Sequence, residues 1–139
     1  MVGRDGRQVR RLAVKAGASG VVALFGVDYV GDEDLYVGDG ADSLTNPNSR
    51  NTRVLRINPD TGEARVRATG VGGPIGVLRH GRWLYVADGV NGRVLRMRPD
   101  RGCSSGHGAE SSAAAGSRVP HGANGVAVDP AGRNLYAAP

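Results

Sequence analysis

Apolar and polar positions alternate along much of the chain in short runs, and no helical period persists beyond a turn or so. The stretch 76–100, GVLRHGRWLYVADGVNGRVLRMRPD, contains three such runs, divided at His80-Gly81, Ala87-Asp88-Gly89 and Asn91-Gly92. Glycine and asparagine supply the positive backbone angles that tight connections need. The pattern therefore predicts strands that fold back antiparallel on one another, over 75–79, 83–87 and 92–98.

The unit recurs on both sides of itself. Leu35-Tyr36-Val37-Gly38-Asp39-Gly40 returns as Leu84-Tyr85-Val86-Ala87-Asp88-Gly89, and in reduced form as Leu135-Tyr136-Ala137-Ala138. A Gly-Val pair precedes each, at Gly26-Val27, Gly76-Val77 and Gly125-Val126. A third landmark, Arg53-Val54-Leu55-Arg56-Ile57-Asn58-Pro59-Asp60, matches Arg93-Val94-Leu95-Arg96-Met97-Arg98-Pro99-Asp100. Three landmarks in one order, at a period of about fifty residues, indicate stacked supersecondary units.

Four segments follow. Residues 1–20 read as the end of a unit, with an outer strand near 8–14. Residues 21–70 form a full unit with strands near 21–29, 34–37, 52–57 and 63–68. Residues 71–120 form a second, whose fourth strand is obscured by a long loop over 99–118. Within that loop, 102–117 is rich in Ser, Gly and Ala and is expected to be mobile. Residues 121–139 begin a further unit with two strands and a turn at Pro130–Arg133. In the fourth strand of the first full unit, Ala64, Val66 and Ala68 alternate with Arg65 and Arg67, as on a half-exposed outermost strand. The expected fold class is all-β, built of four-stranded antiparallel units.

The connections between second and third strands differ in length. In the first full unit it runs from Asp39 to Asn51; in the second it is only Asp88–Gly92. An insertion confined to one repeat points to a ligand-facing side, to which these connections offer Asp39, Asp42, Arg50, Asp88 and Asn91. Asp39, Asp42, Asn46 and Asn48 are hard oxygen donors for calcium, but they lack the regular carboxylate spacing of an EF-hand. Ordinary turn chemistry explains the same residues.

Composition narrows the function classes. The net charge of +5 comes from 17 arginines and Lys15. Only Arg10 and Arg11 are adjacent, and no aromatic platform interleaves the basic residues. Solvated strand faces are therefore expected, and nucleic acid is not an expected partner. Cys103 is the only cysteine, so neither an internal disulfide nor a thiolate zinc cluster can form. Cys103 and His107 share the low-complexity loop, and a free thiol there is expected. The first residues lack the apolar core of a signal peptide, no run reaches the length of a membrane span, and no compartment is implied.

The pattern of Gly-Val followed by Leu-Tyr-Val-Ala-Asp-Gly-x-Asn-Gly-Arg-Val resembles the blade of NHL-type β-propellers, and most closely the SMP-30/gluconolactonase/LRE-like family. Nearly the whole chain takes part. Propellers close a ring from several blades, and six at this period need roughly 300 residues, so the resemblance implies about half of a six-bladed ring. Exposed faces at either end of such an arc imply self-association.

The resemblance also implies chemistry. Enzymes of this family hold a divalent cation (calcium, magnesium, manganese or zinc) with a Glu, an Asn and an Asp from different blades, and hydrolyse lactones or related esters. The family's Asn stands before a Gly at the start of an inner strand, which matches Asn124-Gly125. The equivalent positions in the other units are Phe25 and Ile75, neither a ligand. The expected metal residue is therefore Asn124 alone, with no tightly held cofactor in this chain by itself and no catalytic residue assigned. A capped turn explains Asn124 equally well. The alternative is a non-catalytic propeller that presents its loops to a protein or a sugar.

Overall fold

The computed structural model describes residues 13–14, 24–30, 34–40, 52–99, 112–113 and 122–139. Among these there is no helix, and ten strands make three antiparallel sheets. The first sheet is a four-stranded meander, β1 (Leu24–Val30), β2 (Asp34–Asp39), β3 (Arg53–Ile57) and β4 (Ala64–Thr69). The second repeats it with β5 (Pro74–His80), β6 (Trp83–Asp88), β7 (Arg93–Met97) and β8 (Ser112–Ala113). The third is the pair β9 (Gly125–Val128) and β10 (Leu135–Ala138). The all-β, antiparallel expectation holds.

Matched sequence landmarks take matched places in the ladders. Leu35 pairs with Ile57 and Leu84 with Met97, Val37 with Leu55 and Val86 with Leu95, Asp39 with Arg53 and Asp88 with Arg93. Because side chains alternate across a strand, identical register sends equivalent residues to equivalent faces. Val37, Leu55 and Ile57 pack on one side of the first sheet, with Val14 beside them. Their counterparts Val86, Leu95 and Met97 do the same one sheet further on, where they meet Tyr36, Val54 and Ala68. The next layer repeats the scheme with Ala87 and Val94 against Ala123, Val126 and Leu135. Each of the two four-stranded sheets therefore has two apolar faces, and β2 is buried at all but one of its positions. Complete burial of Leu84 contributes about 1.5–3 kcal/mol.

The β5–β6 hairpin turns where the sequence indicates, between paired His80 and Trp83, with Gly81 at φ 56°. One expectation is corrected. Asp39 and Asp88, assigned to loops, are the last residues of β2 and β6, where each completes the ladder opposite an arginine. The low-complexity segment, expected to obscure the fourth strand, contributes β8 to the second sheet, with Ala113 opposite Leu95 and Ser112 opposite Arg96. A Ser-Ala pair carries no strand pattern of its own; the open edge of β7 supplies the pairing. The expected outer strand near 8–14 lies outside the described residues apart from Ala13 and Val14, as does the expected mobility of 102–117 apart from β8.

The first strands of the three sheets lie side by side, β5 between β1 and β9. They approach closely enough to exclude side chains. A β-carbon on Gly26 would lie 2.3 Å from the Ile75 carbonyl oxygen and 2.9 Å from the Gly76 Cα. One on Gly76 would lie 2.7 Å from the Asn124 carbonyl oxygen and 3.2 Å from the Gly125 Cα. The recurring glycine of the Gly-Val pair is thus where backbone packs on backbone from one sheet to the next. Two side-chain bonds reinforce the stack. The Arg79 amide donates to the Asp28 carboxylate across β1 and β5, and the Thr52 hydroxyl donates to the Val71 carbonyl.

In the β9–β10 turn, Asp129 accepts hydrogen bonds from the Arg133 amide at 2.6 Å, the Asn134 amide at 3.0 Å and Asn134 Nδ2 at 3.2 Å. These donors, the Asn134 amide foremost, outweigh partial desolvation and hold its carboxyl below the ordinary 3.8. The folded form therefore binds this proton less readily than the unfolded chain. The resulting stabilisation is fully present above the ordinary value and is lost as pH falls through the lowered one. The protection of the Asn134 amide, its exchange measured against that of the unfolded chain at the same pH, is expected to fall as the pH drops below about 4, and Asp129→Asn should flatten that dependence. An unchanged pH profile in the variant would refute the assignment.

Candidate functional site

The expected ligand-facing end is the one at which β2 and β6 finish and β9 begins. At the close of β6, the Asp88 carboxylate is wholly buried. It accepts from Asn91 Nδ2 at 2.8 Å, from the Asn91 amide at 3.2 Å and from Arg93 Nε at 3.0 Å. Asn91 is exposed, so it caps the carboxylate from the solvent side. The connection between β4 and β5 closes over this corner. The Gly89 amide donates to the Gly73 carbonyl at 2.8 Å, and a β-carbon on Gly72 would fall 2.7 Å from Asp88 Oδ1.

The first sheet repeats the arrangement. Asp39 is also wholly buried, and Arg53 Nε approaches its Oδ2 at 2.8 Å. Arg53 keeps only 12% of its side chain exposed, against 43% for Arg93. Both carboxylates thus hold the outgoing strand to the incoming one. Buried charge requires such pairing, because a carboxylate in an apolar layer without compensating donors is strongly disfavoured. Asp39 and Asp88, expected on the ligand-facing side, direct carboxylate oxygens into hydrogen bonds with their own sheets.

Asn124 occupies the residue before β9, with its side chain exposed. Its amide donates to the Ala138 carbonyl at 2.8 Å, extending the β9–β10 ladder by one rung. Gly122 and Ala123, just before it, lie against Gly89. Asn124 and the Asp88–Gly92 connection therefore share one end of the stack. The β5–β6 and β9–β10 turns share the other, since a β-carbon on Gly132 would fall 2.5 Å from His80 Nε2. Phe25 and Ile75, at the positions equivalent to Asn124, bring no oxygen donor. Asp42, Asn46, Asn48 and Arg50, like Cys103 and His107, lie outside the described residues.

Among the described residues no three His, Cys, Asp or Glu side chains gather to hold a metal ion. An exposed amide oxygen is a weak donor alone, and a divalent cation bound by one such group keeps most of its water shell. These residues do not fit a metal site by themselves. No helix among them is long and apolar enough to cross a membrane.

The arginines do not behave as evenly solvated strand faces. Arg56 pairs with Asp34, while Arg82, Arg96 and Arg98 stand over the ring of Trp83 at 5.7, 4.4 and 5.3 Å from its centroid. Period-two alternation assigns such residues to a face but cannot show that hairpin turns gather them at one end. Arg82, next to Trp83 in sequence, and the alternating Arg96 and Arg98 of the next expected strand were the available signal. Neither a protein-family model nor a curated protein matches the chain.

Proposed function

We propose that the three sheets are successive blades of a β-propeller of the SMP-30/gluconolactonase type. In a closed ring, such a protein acts as a divalent-metal-dependent hydrolase of lactones or related esters, with Asn124 as one metal donor. The observation that carries this reading is the repetition of register and packing from sheet to sheet, with β1, β5 and β9 side by side. Adjacent first strands are what a ring of radial blades requires along its central channel. The exposed Asn124 side chain at the leading end of β9 supports its assignment as a donor. The other donors would come from further blades, so no catalytic step is derived from these residues.

A second reading, a non-catalytic propeller that binds a protein or sugar partner, is favoured by one observation. The carboxylates at the Asn124 end, Asp39 and Asp88, are committed to arginines of their own sheets. The two readings separate experimentally. In a closed ring bearing this sequence, Asn124→Ala is expected to lower chelator-sensitive lactone hydrolysis by about 100-fold or more, with thermal unfolding unchanged. Groups that merely support metal ligands already cost up to roughly that much. Hydrolysis indifferent to both chelator and substitution would sink the enzyme reading. Chelator-sensitive turnover by the 139-residue chain alone would overturn the need for donors from further blades.

A further inference from the structure

We propose that the cleft between the two four-stranded sheets, at the end opposite Asn124, binds a small phosphorylated anion. The cleft has a volume of about 300 Å³ and is lined by Asp34, Tyr36 and Arg56 of the first sheet and Arg79, Arg82, Arg98 and Pro99 of the second. Asp34 opens β2, Arg82 sits in the β5–β6 turn, and Arg98 follows β7, so all three lie at the same end of their sheets.

Charge decides the class of ligand. Four guanidinium groups line the cleft against one carboxylate, and that carboxylate is already in an ion pair with Arg56. Arg79 turns its Nε to the Gly81 carbonyl at 2.8 Å, which fixes the side chain. Arg82 and Arg98 are held over Trp83, and Arg96 adds a third guanidinium to the same ring. Cations gathered on one aromatic ring repel one another, and an anion between them relieves that repulsion. Trp83 also removes part of the rotamer freedom that long side chains lose on binding. Guanidinium forks match phosphate oxygens in pairs, whereas a carboxylate uses only two acceptors.

Size and shape narrow the class further. A cleft of this volume is at the small end of ligand sites, sufficient for pyrophosphate or a phosphate monoester of a small molecule. A nucleic-acid strand needs a groove and open aromatic faces for stacking, and the face of Trp83 is taken by Arg96 at 4.4 Å. Both walls of the cleft belong to the described sheets, so the inference stands apart from any propeller, metal or lactone chemistry.

Inorganic pyrophosphate is the probe. Titration calorimetry on the 139-residue chain at low ionic strength should give saturable binding at one site per chain. Arg82→Ala and Arg98→Ala should each weaken it by roughly ten- to a hundredfold, the range for a lost charge-assisted hydrogen bond. Arg98→Lys keeps the charge but not the fork, and should fall between. Arg133→Ala removes the same charge from the exposed β9–β10 turn and should leave affinity unchanged. Absence of saturable binding in the millimolar range would overturn the proposal, as would an equal loss with Arg133→Ala. Single-stranded DNA binding that pyrophosphate cannot displace would also overturn it, in favour of a polymer surface.

Discussion

Gly26→Ala and Gly76→Ala are each expected to destabilise the protein by about 3 kcal/mol or more, at or above the upper end for overpacking. The new methyl groups would meet backbone, not flexible side-chain ends: the Ile75 carbonyl at 2.3 Å in one case and the Asn124 carbonyl at 2.7 Å in the other. Backbone paired in a ladder cannot retreat without breaking that pairing, so the sheets must separate instead. Gly125→Ala is the control. Its β-carbon would meet only the Ala138 Cβ at 3.8 Å, an ordinary contact, so its cost should stay within about 0.5 kcal/mol. Urea unfolding of the three variants measures the differences. Similar losses at all three positions would show that strand propensity, and not sheet-to-sheet approach, explains the glycines. In a closed propeller Gly125 would face a further first strand, and Gly125→Ala would then become as costly as Gly76→Ala.

Asp39→Ala is expected to cost about 3–5 kcal/mol, the range for breaking a buried ion pair. Both members are withdrawn from water, Asp39 completely and Arg53 to 12% exposure. Asp88→Ala should cost less, because Arg93 is 43% exposed and can recover hydration once the carboxylate is gone. The order of the two losses is the sharper test, since the residues occupy the same place in the repeat. Denaturant midpoints with unchanged slopes would report it. A loss under about 1 kcal/mol at Asp39 would mark the pair as surface-like and reopen its carboxylate to a ligand. Asp39→Asn separates charge from shape: most of the cost should persist, because an amide cannot replace the ionic acceptor that Arg53 faces.

Much of the strand order was legible from residues alone. Leu35 and Leu84 fall in like positions because alternation has a period of two and the turns at Gly81 and Gly92 set the register. The same logic failed where local pattern is silent. Ser112 and Ala113 look like loop residues, and only the unpaired edge of β7 makes them a strand. Asp39 and Asp88 look like turn residues because aspartate is common in turns. Burial between layers, with an arginine opposite in the ladder, turns them into internal pins. The Gly-Val recurrence was visible, but its cause was not, since closeness of two backbones about fifty residues apart has no local signature.

The candidate sites divide along the same line. Asn124 was singled out by the family resemblance, which places an Asn before the glycine of an inner strand, and the structure leaves its side chain exposed. The arginine cleft could not be singled out in that way. Arg56, Arg79, Arg82 and Arg98 span forty-odd residues of chain, and each alone is an ordinary polar position on a strand or turn. By itself the sequence determined which residues repeat, which alternate and where the chain turns, because those properties arise from neighbours a few residues apart. Only the tertiary structure decided which carboxylates are spent on arginines, which glycines carry the stacking and where positive charge gathers. Those outcomes depend on distances between sheets, and electrostatic and packing forces act over a few ångströms regardless of separation along the chain.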